Sequence, residues 1–273
     1  MIDRLLRKVP NFRGKRRLAK LLLGIKIPRI ADLTVKGKFG CTYTLPNVQE
    51  TIGFEILING IYEAETIQFI SKRIKASGKF LDIGANIGAI SIPLGKLRTD
   101  IQICSLEAAP WIFKYLKQNV LANQLTDITL INKAISSEGG KLVDFFSPKD
   151  KFGKGSLAPI FTNTAERVET ITIDELVYEK NNTVDFIKVD VEGFEALAFR
   201  GGQEFLRGKV APDILFEFVD WAEELAGEKP GCAQAILMDY GYKLYTFDRG
   251  VLGDQLSIPI TKGGQLIFAT KQK

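Results

Sequence analysis

The segment that most constrains the fold covers residues 79–94, KFLDIGANIGAISIPL. A short apolar run with one acid inside it leads into a glycine-bearing turn, and apolar residues then recur at helical spacing. This order predicts a strand, a tight turn and a helix. In such a unit the first backbone N–H groups of the helix face the turn, where they can meet a ligand.

Five residues of this unit are candidate ligand contacts, namely Asp82, Gly84, Ala85, Asn86 and Gly88. The glycines and the alanine carry little or no side chain, and asparagine enters the left-handed backbone region at modest cost. The spacing Asp-x-Gly-x-Asn-x-Gly differs from the G-x-G-x-x-G of dinucleotide-binding proteins. Because the Asp82 carboxylate would repel phosphates, the turn favours a ligand that carries an ammonium group.

A second acid, Glu107, follows the apolar run 101–106 and precedes a helical segment that begins near Pro110. An acid about 20 residues after the glycine turn is typical of residues that accept hydrogen bonds from both ribose hydroxyls. The same acid would also suit the positive end of the following helix. After a third strand at 128–132, residues 133–136 could border an adenine ring.

Three charged residues, Lys188, Asp190 and Glu192, mark the carboxyl end of a predicted buried strand at 184–189. Alternate positions of an extended chain share a face, so these side chains could point into one crevice. A cation and carboxylates that converge in this way favour acid–base chemistry. An internal ion pair followed by acids at a helix N-terminus would give the same pattern.

Strand-like and helix-like segments alternate along the chain, which ends in two β runs at 243–247 and 265–270. This order predicts an α/β fold with a doubly wound, mostly parallel, seven-stranded sheet and an antiparallel edge. Within residues 31–58, period-two alternation in LTVKGKF, CTYTL and IGFEILI predicts a small antiparallel sheet. We expect an N-terminal extension over residues 1–58 and the main domain over 59–273. The long segment 142–172 could be a lid over the part of the site where a second substrate, the acceptor, would bind, or it could be a bare surface loop.

Charge is unevenly distributed. Residues 1–30 carry ten Lys or Arg residues and one acid, a formal charge of +9, and the whole chain carries +5, which leaves −4 for residues 31–273. Apolar residues interleave with these cations and predict two short amphipathic helices. Such helices dock on anionic membrane surfaces or phosphate-bearing acceptors, or they form a solvated basic face packed on the main domain. We find no apolar run of about 18 to 20 residues and no signal peptide, so we expect a cytoplasmic protein, with any membrane contact peripheral.

The chain has no histidine and three widely spaced cysteines, Cys41, Cys104 and Cys232. Their number is odd and they form no C-x-x-C pair, so we expect unpaired thiols rather than a disulfide or a zinc site. The lack of histidine excludes Ser-His-Asp and Cys-His catalysis and H-E-x-x-H zinc chemistry. Proton transfer must therefore use carboxylates, lysine, tyrosine or water.

Four segments, LDIGANIG, LEAAP, ETITIDEL and IKVDVEGFE, resemble in order the FkbM family of S-adenosylmethionine-dependent methyltransferases, over roughly residues 60–220. The first is similar to motif I of class I methyltransferases. The resemblance implies a class I methyltransferase fold, an S-adenosylmethionine cofactor, and methylation of oxygen on sugars, polysaccharide precursors or polyketides. The expected acceptor is thus a small molecule or a glycan.

The resemblance also implies where the cofactor lies. The turn would run along its methionine part and Glu107 would hold its ribose, with Ala108 and Ala134 as further candidate contacts. Members of the family commonly carry an acid just after the alanine that corresponds to Ala134, whereas this chain has Ser136 and Ser137 there. That departure affects the expected adenine contacts.

Methyl transfer to a hydroxyl needs alignment and removal of a proton. Asp190 is our candidate general base or anchor for the acceptor hydroxyl, with Lys188 tuning its charge and Glu192 binding or orienting. Alternatively, Asp190 and Glu217 could hold a hard divalent cation that lowers the pKa of the acceptor.

Three other functions stay open. A nucleic-acid methyltransferase would suit the basic N-terminus, yet base methylation usually places a D/N-P-P-Y segment where this chain has DVEG. A nicotinamide-dependent reductase is disfavoured by the glycine spacing. A non-catalytic binding protein could retain the fold and the cofactor contacts without turnover.

Overall fold

The structure is a computed structural model that describes residue 9 and residues 14–23, 32–178 and 183–272. In chain order its strands are β1 (Leu33–Lys36), β2 (Thr42–Leu45), β3 (Lys79–Ile83), β4 (Gln102–Leu106), β5 (Ile128–Ile131), β6 (Ala134–Ile135), β7 (Leu142–Phe146), β8 (Ala165–Ile171), β9 (Phe186–Val189), β10 (Asp213–Val219), β11 (Lys243–Asp248), β12 (Val251–Leu256) and β13 (Gly264–Thr270). Its helices are α1 (Lys15–Leu23), α2 (Thr51–Asn59), α3 (Ala64–Arg73), α4 (Ser91–Leu97), α5 (Pro110–Ala122), α6 (Ile173–Tyr178), α7 (Glu195–Arg200), α8 (Gln203–Arg207), α9 (Asp220–Leu225) and α10 (Cys232–Asp239).

The central sheet has the strand order β12-β11-β13-β10-β9-β3-β4-β5. Strands β5, β4, β3, β9 and β10 are parallel, whereas β13, β11 and β12 pair antiparallel at one edge. This confirms the α/β fold with a doubly wound, mostly parallel sheet. The chain leaves β3 towards β4 on one side and returns to β9 on the other, so β3 and β9 form the point where the strand order reverses.

The predicted strand count was wrong by one, since the central sheet of the described residues has eight strands instead of seven. The additional strand is β12 at the edge, and most of its residues are exposed. Only Leu252 and Leu256 of β12 pack on the core, and Gly253 and Asp254 between them interrupt the apolar alternation by which strands are recognised.

The N-terminal sheet is smaller than expected. β1 and β2 form the predicted antiparallel pair, but the third run, IGFEILI, lies in the helix α2. The Glu50 side chain accepts a hydrogen bond from the Ile52 backbone N–H at the start of this helix, and Gly60 ends it in a left-handed conformation. The spacing of apolar residues in this short run fits a strand as well as a helix. The caps at its two ends favour the helix.

This small sheet is tied to the main sheet's helices through Asn119 on α5. The buried Asn119 side chain accepts from the Thr44 N–H at 2.7 Å and donates to the Ile87 carbonyl at 3.0 Å. Apolar residues of β1 and β2 also share one hydrophobic cluster with the glycine turn and α5. The domain division at residue 58 stays a prediction.

The basic N-terminal segment is described only in part. Helix α1 matches one of the two predicted amphipathic helices, and the other falls outside the described residues. Ala19 packs on Phe54 and Ile58, while Leu21 is 79% exposed. No helix among the described residues is long and apolar enough to cross a bilayer. Docking on a membrane surface stays a prediction.

Candidate functional site

A cavity of about 380 Å³ opens at the carboxyl ends of β3, β4 and β9. Ligands in doubly wound sheets bind at this edge, beside the point where the strand order reverses. The cavity is lined by predicted site residues from all three strand ends, together with residues of the segment 152–157. The three cysteines lie outside the cavity lining, and none of them is in a disulfide.

The first N–H groups of the glycine turn are hydrogen-bonded to the end of β4. The N–H groups of Gly84 and Ala85 donate to the Leu106 carbonyl at 3.0 and 2.8 Å, and the Asn86 N–H donates to Glu107 Oε2 at 2.9 Å. These three N–H groups are therefore not free to bind a ligand, and residues 84–86 do not form a phosphate cradle. The expectation from the sequence concerned the first N–H groups of the following helix, which begins at Ser91, and it stays a prediction.

The turn's conformation explains its residue types. Gly84 has φ +83°, and a Cβ there would lie 2.0 Å from the Asp190 carbonyl oxygen, so only glycine lets the ends of β3 and β9 meet. Asn86 has φ +53°, and its side-chain amide donates to the Phe152 carbonyl at 2.7 Å, which holds the segment 152–157 over the cavity. Asn86 and Ala85 line the cavity.

Gly88 is placed differently from the prediction. It does not line the cavity, and a Cβ there would meet the side chains of Ile92 and Leu116 at 2.7 and 3.1 Å. With φ +85° as well, this glycine allows close packing between the turn and α5. In the structure Gly88 therefore lets the turn pack on Ile92 and Leu116, below the residues that line the cavity.

Glu107 lies at the end of β4 and is 5% exposed. Its Oε1 accepts from the Ala109 N–H at 2.8 Å, and its Oε2 accepts from the Asn86 N–H. Burial raises the pKa of Glu107 to about 7, although these hydrogen bonds oppose the shift. Each carboxylate oxygen has a second lone pair for a ligand hydroxyl. Ala108 and Ala134 line the same part of the cavity.

Three carboxylate oxygens in the cavity wall, on Asp82, Glu63 and Glu192, lack a hydrogen-bond partner among the described residues. Asp82 is 1% exposed, and its Oδ2 accepts from Ser91 Oγ at 2.5 Å, whereas its Oδ1 makes no hydrogen bond. Oε2 of Glu63 is also buried without a partner. Burial raises the pKa of Asp82, and nearby Lys188 opposes this. Two buried acceptors without donors favour a cationic ligand group.

Lys188 and Asp190 form the ion pair expected from their spacing. Lys188 Nζ lies 2.9 Å from Asp190 Oδ2, and the lysine side chain is only 5% exposed. Burial acts to lower the pKa of Lys188, but Asp190, Asp82 and Glu63 raise it above the usual value. Burial acts to raise the pKa of Asp190, but Lys188 holds it below its usual range. Asp190 is therefore a carboxylate at neutral pH.

Glu192 lies in a strained turn directly after this pair. Its φ is +52°, and Gly193 follows with φ +97°. The buried Glu195 carboxylate accepts from the Val191 and Gly193 N–H groups at 3.0 and 3.1 Å and so fixes the turn. Backbone strain of this kind is concentrated at functional sites. Lys154 Nζ binds Glu192 Oε1 at 2.6 Å.

Glu217 on β10 completes a carboxylate cluster. Asp190, Glu192 and Glu217 each offer an oxygen within 4.8 Å of the others. Burial, followed by the charges of Asp190 and Glu192, raises the pKa of Glu217 to about 8. The predicted pair of Asp190 and Glu217 is thus together, with Glu192 beside it.

Neither Lys154 nor Glu63 is among the site residues predicted from the sequence. Lys154 stands between two glycines, Gly153 and Gly155, in the long segment after β7. That pattern was the one available signal, since a lysine on a glycine-flanked loop can approach a distant carboxylate. In total the cavity lining has seven carboxylates and three lysines, a surplus of four acids.

Comparison with known proteins adds a family match. A family model described as Methyltransferase FkbM domain matches residues 82–244, which are 163 of the 273 residues. No match was found among the curated proteins.

Among solved structures, the chain is similar to precorrin-6y C5,15-methyltransferase from Geobacter metallireducens GS-15, with 16% identity, a TM-score of 0.44, and coverage of 77% of this chain and 87% of that chain. It is similar to M. jannaschii TYW2 in complex with AdoMet, with 14% identity, a TM-score of 0.43, and coverage of 88% and 85%. A SAM-dependent methyltransferase from Aquifex aeolicus has 15% identity, a TM-score of 0.40, and coverage of 76% and 88%. At these identities the likenesses say nothing about the acceptor.

Proposed function

Because the chain belongs to the FkbM methyltransferase family and is thus an S-adenosylmethionine-dependent methyltransferase, we propose that it methylates a hydroxyl oxygen of a sugar or glycan precursor. The observation that carries this proposal is the acid-rich cavity at the strand ends, with its surplus of four carboxylates. Such a cavity favours a cationic cofactor and an uncharged polyhydroxyl acceptor over phosphate-bearing ligands.

The first part of the proposal concerns the cofactor, which would bind at carboxylate oxygens that have no hydrogen-bond donor among the described residues. The methionine ammonium would lie against Asp82 Oδ1 and Glu63 Oε2, which are buried without donors. The ribose hydroxyls would donate to Glu107, and the adenine would lie among the apolar lining residues Ala134 and Phe145. Each group of the cofactor then meets the chemistry that it needs.

The acceptor half uses the end of β9. Methyl transfer is an in-line displacement: the O–CH₃ bond forms as the S–CH₃ bond breaks, S-adenosylhomocysteine leaves, and the hydroxyl proton passes to a base. We assign that base, or the anchor of the hydroxyl, to Asp190, which is ionised and retains 33% side-chain exposure. Lys188 orients Asp190 through the 2.9 Å ion pair, and Glu192 orients the acceptor.

An aromatic pair beside the cluster supports a sugar acceptor. Lys154 Nζ lies 5.9 Å from the centroid of the Phe161 ring, and that ring contacts Trp221 edge-to-face at 6.0 Å between centroids. Trp221 is 42% exposed. An exposed aromatic face next to hydrogen-bonding acids suits a ring that has both C–H faces and hydroxyls. A nucleic-acid acceptor would bring phosphates towards the carboxylates, which is unfavourable.

The test is methyl transfer from labelled S-adenosylmethionine to a panel of glycosides, with a parallel RNA and DNA arm, read by mass spectrometry. We expect a gain of one methyl on a glycoside. In Asp190→Asn, turnover should fall by about 10² to 10⁴-fold while the Kd for S-adenosylhomocysteine stays unchanged. Asp144→Asn is the matched control, because Asp144 forms a surface ion pair with Arg167.

Wild-type turnover in Asp190→Asn would contradict the assignment of Asp190. Methylation confined to RNA or DNA would contradict the acceptor class while leaving the family activity in place.

A further inference from the structure

The carboxylate cluster is an unusual concentration of like charge in a half-buried site. Asp190 directly follows β9, and Glu217 stands one position beyond the Phe216–Val189 pair of neighbouring parallel strands, so the two acids lie side by side. Glu192 enters from the strained turn, and oxygens of all three lie within 4.8 Å of one another. Three carboxylates at this separation repel one another unless one takes up a proton or a cation is shared among them.

The two lysines compensate only part of this charge. Lys188 binds Asp190 Oδ2 at 2.9 Å, and Lys154 binds Glu192 Oε1 at 2.6 Å. Each of these carboxylates has a second oxygen to offer, and Glu217 makes no ion pair among the described residues. When all three acids are ionised, the two lysines leave one negative charge, which a proton on Glu217 or a bound cation neutralises.

A second and independent observation is an orphaned oxygen. Glu192 is 5% exposed, and its Oε2 is buried without a hydrogen-bond partner in the part of the chain that the structure describes. Buried polar atoms are nearly always paired, and an exception calls for a physical reason such as an ion. A cation held by the three acids would give this oxygen its missing partner.

The donor set fits a hard cation. Opposite oxygens around Mg²⁺ lie about 4.1 Å apart, and around Ca²⁺ about 4.8 Å, so the cluster spans one ion after at most a small contraction. All three donors are carboxylates, and the chain has no histidine. Oxygen-only ligands select Mg²⁺, Mn²⁺ or Ca²⁺ over zinc or copper.

We propose that Asp190, Glu192 and Glu217 bind one hard divalent cation, Mg²⁺ or Mn²⁺, at the acceptor end of the cavity. Cation binding itself does not depend on the acceptor assignment, but its use in catalysis rests on the proposed function. A bound cation there would lower the pKa of the acceptor hydroxyl and so ease removal of its proton.

The experiment titrates MnCl₂ into the full-length protein after removal of metals with a chelator, and free Mn²⁺ is measured by electron paramagnetic resonance. We expect one Mn²⁺ per chain, displaced by Mg²⁺. In Glu217→Gln and in Glu192→Gln the affinity should fall at least about tenfold. Glu138→Gln is the matched control, since Glu138 is exposed and pairs only with Lys141 at the surface.

Binding of S-adenosylhomocysteine, measured by calorimetry on each protein, shows that the variants are folded. Relaxation enhancement of the bound S-adenosylhomocysteine protons by Mn²⁺ locates the ion beside the cofactor in the wild-type protein, even if a variant fails to fold. No Mn²⁺ binding at millimolar concentration, or equal affinity in folded Glu217→Gln, overturns the cation site. If the protein binds S-adenosylhomocysteine but no Mn²⁺, the cation site is refuted and the proposed function stands. If the wild-type protein does not bind S-adenosylhomocysteine, the proposed function is refuted instead.

Discussion

Binding of the cofactor should strengthen as pH rises from 6 to 8, because Glu107 must lose a proton to accept two ribose hydroxyls. Burial raises the pKa of Glu107 to about 7, so about nine-tenths of the free protein carries the proton at pH 6. If the complex needs the carboxylate, the affinity at pH 6 is about tenfold weaker than at pH 8, which is about 1.4 kcal/mol. At pH 7 binding should release about half a proton per chain.

The assay is calorimetric titration with S-adenosylhomocysteine at pH 6, 7 and 8, in buffers of different ionisation enthalpy. Glu107→Gln should lose most of this pH dependence, because the amide does not titrate. The variant should also bind S-adenosylhomocysteine about tenfold more weakly at pH 8. The NH₂ group of glutamine is a donor, and it would face N–H or O–H donors where the wild type has a carboxylate oxygen. Glu138→Gln keeps the wild-type profile. A Kd that is equal at pH 6 and pH 8, or a tenfold change that persists in Glu107→Gln, would refute the reasoning.

Glu107 also makes the stability of the ligand-free protein depend on pH. Stability falls as pH rises, whereas cofactor binding strengthens. The pKa of Glu107 is raised on folding from 4.5 to about 7, so its contribution to stability is full below pH 4.5 and is lost as pH rises through 7. The shift corresponds to about 3 kcal/mol. Without ligand, the free energy of unfolding of Glu107→Gln relative to that of the wild type should therefore increase by up to this amount between pH 4 and pH 8. Urea unfolding at the two pH values measures it.

Two structural predictions concern the frame of the site. Gly84→Ala should lower the free energy of unfolding by about 2 to 4 kcal/mol and weaken S-adenosylhomocysteine binding, because its Cβ would lie 2.0 Å from the Asp190 carbonyl at φ +83°. Gly140→Ala, at φ +69° with nothing within 4 Å of the new Cβ, should cost only the backbone strain, about 1 kcal/mol; equal losses in the two would contradict the contact. Asn119→Ala should cost about 2 to 3 kcal/mol in urea unfolding, because the Thr44 N–H and Ile87 carbonyl lose their partner. A change below about 0.5 kcal/mol would show that the small sheet does not depend on that bridge.

The parts of the site that sequence predicts are those that local geometry determines. The turn needs left-handed conformations at Gly84 and Asn86, and residue types that adopt them are visible in the sequence. Parallel strands end at the same edge, so the acids that follow them must meet. Lys188 and Asp190 share a face because strand side chains alternate.

The parts that it misses depend on contacts between distant segments. Lys154 reaches Glu192 across 38 positions of the chain, and the path of its loop is set by the Asn86 amide, which binds the Phe152 carbonyl. The turn's N–H groups are occupied because the end of β4 lies against them, which no pattern within 79–94 contains. Tertiary partners also explain why IGFEILI is a helix: its apolar residues Phe54 and Ile58 pack on α1.

Lys188 connects the two halves of the cavity. It pairs in register with Asp82 across β3 and β9, yet its ammonium bonds to Asp190, and the charges of both acids act on it. When a cofactor ammonium neutralises Asp82 and Glu63, the charge of Lys188 is left to Asp190 alone. Asp190 then becomes a weaker base. Lys188 therefore couples the cofactor half of the cavity to Asp190, and a cation at the carboxylate cluster would add to the acceptor activation that Asp190 provides.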